Sequence, residues 1–163
     1  MSGLVLSLEQ ARALRDEAES HGKIVVLTNG CFDVLHVGHV RYLEEARQQG
    51  DLLLVGLNDD QSTRLAKGPG RPYVPQEDRA EILVALECVD GVILFSERTA
   101  EKLVRSLKPD VYVKGGNYRI DELPEARFVA EYGGRLFLTT HVPDRSTTSL
   151  VSTILARHSG EFE

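Results

Sequence analysis

The feature that most restricts how this chain folds is the apolar run Ile24-Val25-Val26-Leu27, which ends abruptly in Thr28-Asn29-Gly30. Such a run offers no polar face to solvent, so a strand made of it must be covered on both sides, as in a parallel sheet. Cover of that kind comes from helices, and the chain supplies one on each side of the run. Upstream, Ser7 and Gln10 are spaced as a capping box ahead of Leu8, Ala11, Leu14 and Ala18, which predicts a helix stopping before Gly22. Downstream, residues 37–49 set Val40, Leu43 and Ala46 three apart and stop at Gly50, a second helix with a glycine terminator.

The unit of strand, loop and helix then recurs. Residues 52–57, 92–95, 111–113 and 136–138 read as further strands, and residues 79–88, 100–107 and 149–157 as helices. A further helix is opened by Pro124 and stopped at Gly133-Gly134. Alternation of this kind predicts parallel strands joined by right-handed crossovers: an α/β, Rossmann-like three-layer sandwich with a five-stranded parallel sheet. One domain is expected over residues 1–163, with an N-terminal helix at about 7–21 and a core at about 22–157. The connection over 58–76 is rich in Gly, Pro and charge and reads as a long loop, a class of segment that is usually functional.

With 42% hydrophobic and 27% charged residues, the chain has the composition of a globular protein and not of a disordered one. Nineteen Lys and Arg against 25 Asp and Glu leave a net charge of −6, so no general basic field recruits nucleic acid or an anionic membrane. An anionic ligand must therefore be held by local positive charge. The apolar runs are too short to span a bilayer and the N-terminus has no basic-then-apolar signal, so a cytoplasmic protein is expected. Cys31 and Cys88 form no CxxC pair and read as reduced thiols.

The densest chemical signal is Thr28-Asn29-Gly30-Cys31-Phe32-Asp33 followed by His36-Val37-Gly38-His39, where the first long strand hands over to the next helix. In a doubly wound sheet phosphates bind there, because the turn and the free N–H groups of the helix start favour an anion. His36 and His39, three apart, project to one side and both reach one phosphoryl group. A lone histidine near a helix start is ordinarily a cap, and Gly30 alone would mark any turn; the combination is harder to dismiss. Zinc fits less well, since helical metal pairs usually sit four apart and no third ligand is near. Lys67 and Arg71 lie in the long connection, and Arg79 opens the next helix. Lys114-Gly115-Gly116-Asn117 follows a strand and Ser146-Thr147-Thr148 precedes a helix; taken alone, these are a turn and an N-cap cluster.

Together these residues resemble the cytidylyltransferase-like nucleotidyltransferases, whose hallmark is a (T/G)xxFDxxHxGH segment at the end of the first strand. Thr28, Phe32, Asp33, His36, Gly38 and His39 match it. Lys67-Gly68-Pro69-Gly70-Arg71-Pro72, Arg79, Val113-Lys114-Gly115-Gly116-Asn117-Tyr118 and Ser146-Thr147-Thr148 fall in the order of the subgroup that adenylates D-glycero-β-D-manno-heptose 1-phosphate in lipopolysaccharide core biosynthesis. The likeness runs over roughly residues 8–155. It implies attack of a sugar phosphate on the α-phosphorus of ATP, giving ADP-heptose and pyrophosphate with no covalent enzyme intermediate.

The resemblance further implies catalytic roles for His36, His39, Lys67 and Arg79, and a sugar-phosphate contact from Arg71. Nucleotide contacts are implied for Thr28, Asn29, Gly30, Cys31, Phe32, Asp33, Gly38, Lys114, Gly115, Gly116, Asn117, Ser146, Thr147 and Thr148. ATP is the implied substrate and Mg2+ its companion, with the metal's protein ligands unassigned. A homodimer is implied, and so is a separate sugar kinase upstream, because many relatives carry a fused kinase for which 163 residues leave no room. No nucleic-acid or membrane partner is expected. Asn117 departs from the subgroup's usual Asp, and Val142 stands where glycerol-phosphate cytidylyltransferases carry arginine. Two alternatives stay open: a cytidylyltransferase for a small phospho-alcohol such as glycerol 3-phosphate, and a nucleotide-binding sensor or subunit without turnover.

Overall fold

The apolar run becomes the centre of a sheet. In a computed structural model, which describes residues 3–115, 123–139 and 146–158, strand β2 (Val25–Gly30) is flanked by parallel neighbours on both sides. The chain order is β1 (Leu4–Val5), α1 (Leu8–Ser20), β2, α2 (Val37–Arg47), β3 (Leu52–Asn58), α3 (Asp60–Lys67) and α4 (Gln76–Val84). It continues through β4 (Gly91–Phe95), α5 (Glu101–Leu107), β5 (Val111–Gly115), α6 (Pro124–Glu131), β6 (Arg135–Thr139) and α7 (Thr147–His158). The strands align in the order β1-β4-β3-β2-β5-β6, all parallel. Register is regular: Val25 lies opposite Leu52 and Gly30 opposite Leu57 on one side, and Val26 lies opposite Val111 on the other.

Alternate residues of β2 feed two cores. Val25 and Leu27 pack with Leu54, Ile93 and Tyr112 under residues of α1, α5 and α6, including Ala11, Leu103 and Val129. Val26 packs with Leu53, Val55, Val92 and Val113 under Leu43 and Ala46 of α2 and Ala80 and Leu83 of α4. Both faces are thus dry, as the continuous run requires. The capping box of α1 forms as read, the Ser7 side chain accepting from Gln10 N–H and Gln10 Oε1 from Ser7 N–H.

Two expectations are corrected. The sheet has six strands and not five, because Leu4 and Val5 add an edge strand beside Gly91 and Val92 of β4. Two residues, both exposed, carry no periodicity to read. The connection over 58–76 is not a structureless loop, since it contains α3. That helix is specified by its cap, with Asp59 Oδ1 accepting from Ser62 N–H at 2.7 Å, and by two buried polar residues, Ser62 and Thr63. It presents no apolar stripe of the usual kind. Among the described residues, no helix is long and apolar enough to cross a membrane.

Leu27 is fully buried in the central strand. Leu27→Ala should lower the unfolding free energy by about 2–5 kcal/mol, read from urea denaturation at unchanged m-value.

Candidate active site

Reversal of strand order fixes where a ligand fits. From β2 the chain proceeds to β3 and β4 on one side and returns to β5 and β6 on the other, so the carboxyl ends of β2 and β5 border the crevice of the switch point. A cleft of about 590 Å³ opens there. The size suits a nucleotide-scale ligand.

The loop leaving β2 is held in an unusual shape. Phe32 and Val34 have φ values of 45° and 54°, left-handed conformations that bulky residues rarely adopt. Packing holds Phe32: it is 5% exposed and its ring meets those of His39 and Tyr42 at centroid distances of 5.4 and 6.4 Å. A Cβ on Gly30 would stand 3.0 Å from the Phe32 ring, so a side chain there would crowd it.

His36 and His39 belong to a capping box at the start of α2. His36 Nδ1 accepts Gly38 N–H at 3.1 Å, and His39 Nδ1 accepts His36 N–H at 3.4 Å. A ring nitrogen that accepts carries no proton, so each neutral imidazole keeps its proton on Nε2. The rings stack with centroids 3.9 Å apart, and both line the cleft. Burial, reinforced by His36, pulls the His39 pKa from 6.5 to about 4, with Asp33 opposing. At neutral pH His39 is therefore an uncharged donor.

Asp33 reaches the cleft wall but has its carboxylate engaged. It accepts Arg71 Nε at 2.5 Å, Tyr73 N–H at 2.9 Å and Val74 N–H at 3.0 Å. Burial alone would raise its pKa; the Tyr73 N–H, Arg71 and the Val74 N–H outweigh that and hold it below the usual carboxylate value. Asp33 thereby ties the segment after α3 to the loop after β2. Arg71 lines the cleft from this anchored position.

Two expected contacts are relocated. Arg79 does not open its helix but completes the first turn of α4, and at 1% exposure it lies beneath the cleft. Its guanidinium donates to the carbonyls of Val74, Cys31 and Asn58 and to Asp60 Oδ1. Thr28 is likewise buried: its hydroxyl donates to Val113 C=O at 3.0 Å and shares a hydrogen bond with the Tyr42 hydroxyl, locking β2 to β5 and α2. Neither residue lines the cleft.

The remaining candidates gather around one opening. Asn29, Gly30, Cys31, Phe32, Gly38, Lys67, Lys114, Gly115, Ser146, Thr147 and Thr148 all border it. Asn29 Oδ1 accepts from the Tyr112 hydroxyl at 2.6 Å and from Lys114 Nζ at 3.0 Å, which fixes the lysine at the end of β5. Burial draws the Lys114 pKa down, against the pull of Glu125 and Cys31. A Cβ on Gly115 would come within 2.8 Å of the Tyr42 ring, so that glycine is required by close approach. Ser146 caps α7 by accepting Ser149 N–H at 3.0 Å, and the Thr147 hydroxyl donates to Asp33 C=O at 2.7 Å. Gly116 and Asn117 lie outside the described residues.

Sequence reasoning missed Tyr42, Asn58, Ala66, Arg98 and Thr139, which also border the cleft. Tyr42 sits in the helical pattern of α2 one place before Leu43 and could have been found there. The strand-end positions Asn58 and Thr139 follow from the rule that ligands sit at carboxyl ends. Ala66 and Arg98 carry no motif.

Residues 27–158 match the family model described as cytidylyltransferase-like. Over 150 residues the chain is 48% identical to bifunctional protein HldE of Syntrophotalea carbinolica, an alignment covering 92% of this chain and 31% of that protein. Bifunctional protein HldE of Pseudomonas entomophila is 51% identical over 150 residues, with 92% and 32% covered. The chain thus spans about a third of the length of these curated relatives. A crystal structure of the lipopolysaccharide core biosynthesis protein from Thermoplasma volcanium superposes with a TM-score of 0.63 at 29% identity, covering 74% of this chain and 99% of that one. Pantoate-beta-alanine ligase from Francisella tularensis, at 12% identity and a TM-score of 0.57, shares the fold over 88% of this chain and 69% of its own.

The histidine geometry has a spectroscopic consequence. In an NMR titration of the ligand-free protein, the His39 imidazole should protonate with a midpoint near 4 and show the Nε2–H tautomer above it; a midpoint at 6.5 would contradict the stacked, buried arrangement. The unfolded chain takes up this proton near 6.5 and the folded one only near 4, so folding stability falls as pH drops through that window.

Proposed function

The chain belongs to the cytidylyltransferase-like family, and on that premise we propose that it transfers AMP from ATP to D-glycero-β-D-manno-heptose 1-phosphate, releasing pyrophosphate and forming ADP-heptose. The observation that carries the transfer chemistry is the stacked pair His36 and His39, their Nδ1 atoms engaged by backbone N–H groups so that Nε2–H is the donor, at a helix N-terminus on the switch point. The heptose acceptor rests on the order of the later motifs and on the kinship with the bifunctional proteins and the lipopolysaccharide core biosynthesis protein.

A phosphate oxygen of the acceptor forms the new bond to the α-phosphorus, and the bond from that phosphorus to the bridging oxygen breaks, its electrons leaving with pyrophosphate. The protein's task is to position both groups and stabilise the charge that shifts onto the phosphoryl oxygens. His36 and His39 donate to the α-phosphate. The N-terminus of α7, with Thr147 and Thr148, receives the departing phosphates together with Lys67. Lys114 and Gly115 border the nucleoside, with Asn29 setting the lysine, and Gly116 and Asn117 are assigned to the nucleotide with them. Arg71, anchored through Nε, offers its other nitrogens to the acceptor phosphate. Arg79, Thr28 and Asp33 act by positioning: Arg79 and Asp33 hold the loop after β2 and Thr28 ties β2 to β5, none of them entering the cleft as a free group.

Mg2+ belongs to this reading as part of the Mg·ATP substrate. Among the described residues no group of three His, Cys, Asp or Glu could hold a metal ion, and the Asp33 carboxylate is already taken by Arg71, Tyr73 and Val74. Coordination by phosphate oxygens and water suits this ion. The protein works in the cytoplasm as a homodimer, after a kinase that makes the sugar 1-phosphate.

Pyrophosphate release should be measured with ATP, CTP, GTP and UTP, plus Mg2+, against heptose 1-phosphate, other sugar 1-phosphates and glycerol 3-phosphate. Turnover with ATP and heptose 1-phosphate is expected. Turnover only with CTP and glycerol 3-phosphate would overturn the substrate assignment, and ATP binding without turnover on the whole panel would favour the sensor. In the same assay His39→Ala should lower kcat by roughly 10²-fold or more while nucleotide affinity changes only modestly; an unchanged kcat would remove the histidine mechanism.

A further inference from the structure

Arg98 lies in the turn between β4 and α5, exposed and bordering the cleft. Among the described residues, no hydrogen bond, ion pair or ring contact engages its guanidinium. The neighbouring carboxylate does not neutralise it: Glu97 is paired with Lys102 at 2.7 Å, and those two residues border a separate cavity of about 310 Å³. The turn therefore divides, with Glu97 on one cavity and Arg98 on the other. Asp33 is the one carboxylate among the described residues bordering the larger cleft, and Arg71 occupies it. In a chain of net charge −6, an arginine left unpaired at a concave site has an anion as its complement.

The sheet order says which anion. Arg98 follows β4, two strands away from β2, or roughly 9–10 Å at the usual strand spacing. It stands on the opposite flank from β5 and β6. The switch point between β2 and β5 suits the nucleoside, and the N-termini of α2 and α7 suit its phosphates. What remains is the flank of Asn58 and Arg98, where the arginine supplies positive charge and no ligand is assigned. The other reactant is itself a phosphate dianion that must approach the α-phosphorus from the side away from pyrophosphate.

We propose that Arg98 is a specificity-determining residue of the acceptor subsite, its guanidinium fork gripping the non-reacting oxygens of the acceptor phosphate. This inference rests on the adenylyltransferase reading and deepens it. A fork that binds two oxygens at once is not replaced by a lysine, which supplies charge without the geometry.

The test is steady-state kinetics of Arg98→Ala and Arg98→Lys, with each substrate varied at saturation of the other and melting temperature as a folding control. Arg98→Ala should raise KM for heptose 1-phosphate by roughly tenfold or more, Arg98→Lys by less, with KM for ATP within about twofold. An equal or larger rise in KM for ATP would place Arg98 on the triphosphate, and no change in either constant would make it a solvated surface residue; both results overturn the proposal. Should the wild-type protein release no pyrophosphate with any acceptor, the adenylyltransferase reading fails. Calorimetric titration of glycerol 3-phosphate into wild type and Arg98→Ala, with a non-hydrolysable ATP analogue present, then decides the subsite. Weaker binding by the variant supports it, and equal or absent binding to both overturns it.

Discussion

Acceptors from four separate segments converge on one buried guanidinium. Arg79 bonds the carbonyl after β2, the last residue of β3, the segment before α4 and the first residue of α3. Burying an unpaired arginine would cost several kcal/mol, so this group is tolerated only because its partners saturate it, and they are fixed in return. Everything that borders the cleft from β2 and β3 inherits its position from that clamp. The loop after β2 can hold Phe32 and Val34 in left-handed backbone because its Cys31 carbonyl is pinned from below and Phe32 is packed from the side.

Asp33 performs the complementary task above the clamp. Its three partners all come from the segment after α3, so one carboxylate joins the histidine-bearing loop to Arg71, while its carbonyl receives the hydroxyl of Thr147 at the start of α7. Parts remote in sequence are thus set against each other by polar contacts made at a single residue. The cleft is consequently cationic by subtraction: Asp33 is cancelled by Arg71, and Glu97 is turned aside by Lys102. Local arrangement, not overall charge, prepares a negatively charged chain for an anionic ligand.

The fold was largely legible because its signals are periodic. The run at β2 admits only a doubly covered strand, and the recurring helices provide the cover. β1 escaped because two residues have no period, and α3 because caps and buried hydroxyls specify it in place of an apolar stripe. At the site, the spacing of His36 and His39 carried their placement, since neighbours on one helical turn must share a side. Arg79 and Thr28 were misplaced for the opposite reason: a sequence shows that a polar group is present but not whether its partner is a ligand or a carbonyl of the same chain. Arg98 sits in a turn that no pattern distinguishes, and only the third dimension brings it to the cleft that Lys67 and Asn58 also border.

The position of β2 in the sheet also sets the order in which the molecule comes apart. Its six residues are bonded along their whole length to β3 and for part of it to β5, which places the strand among the segments that exchange their amide hydrogens only through global unfolding. The imidazoles ride on the turn that this strand feeds, whereas α7 has no buried residue. Opening of α7 therefore leaves the two ring donors stacked, so that the opposite ends of one cleft belong to different units of cooperativity.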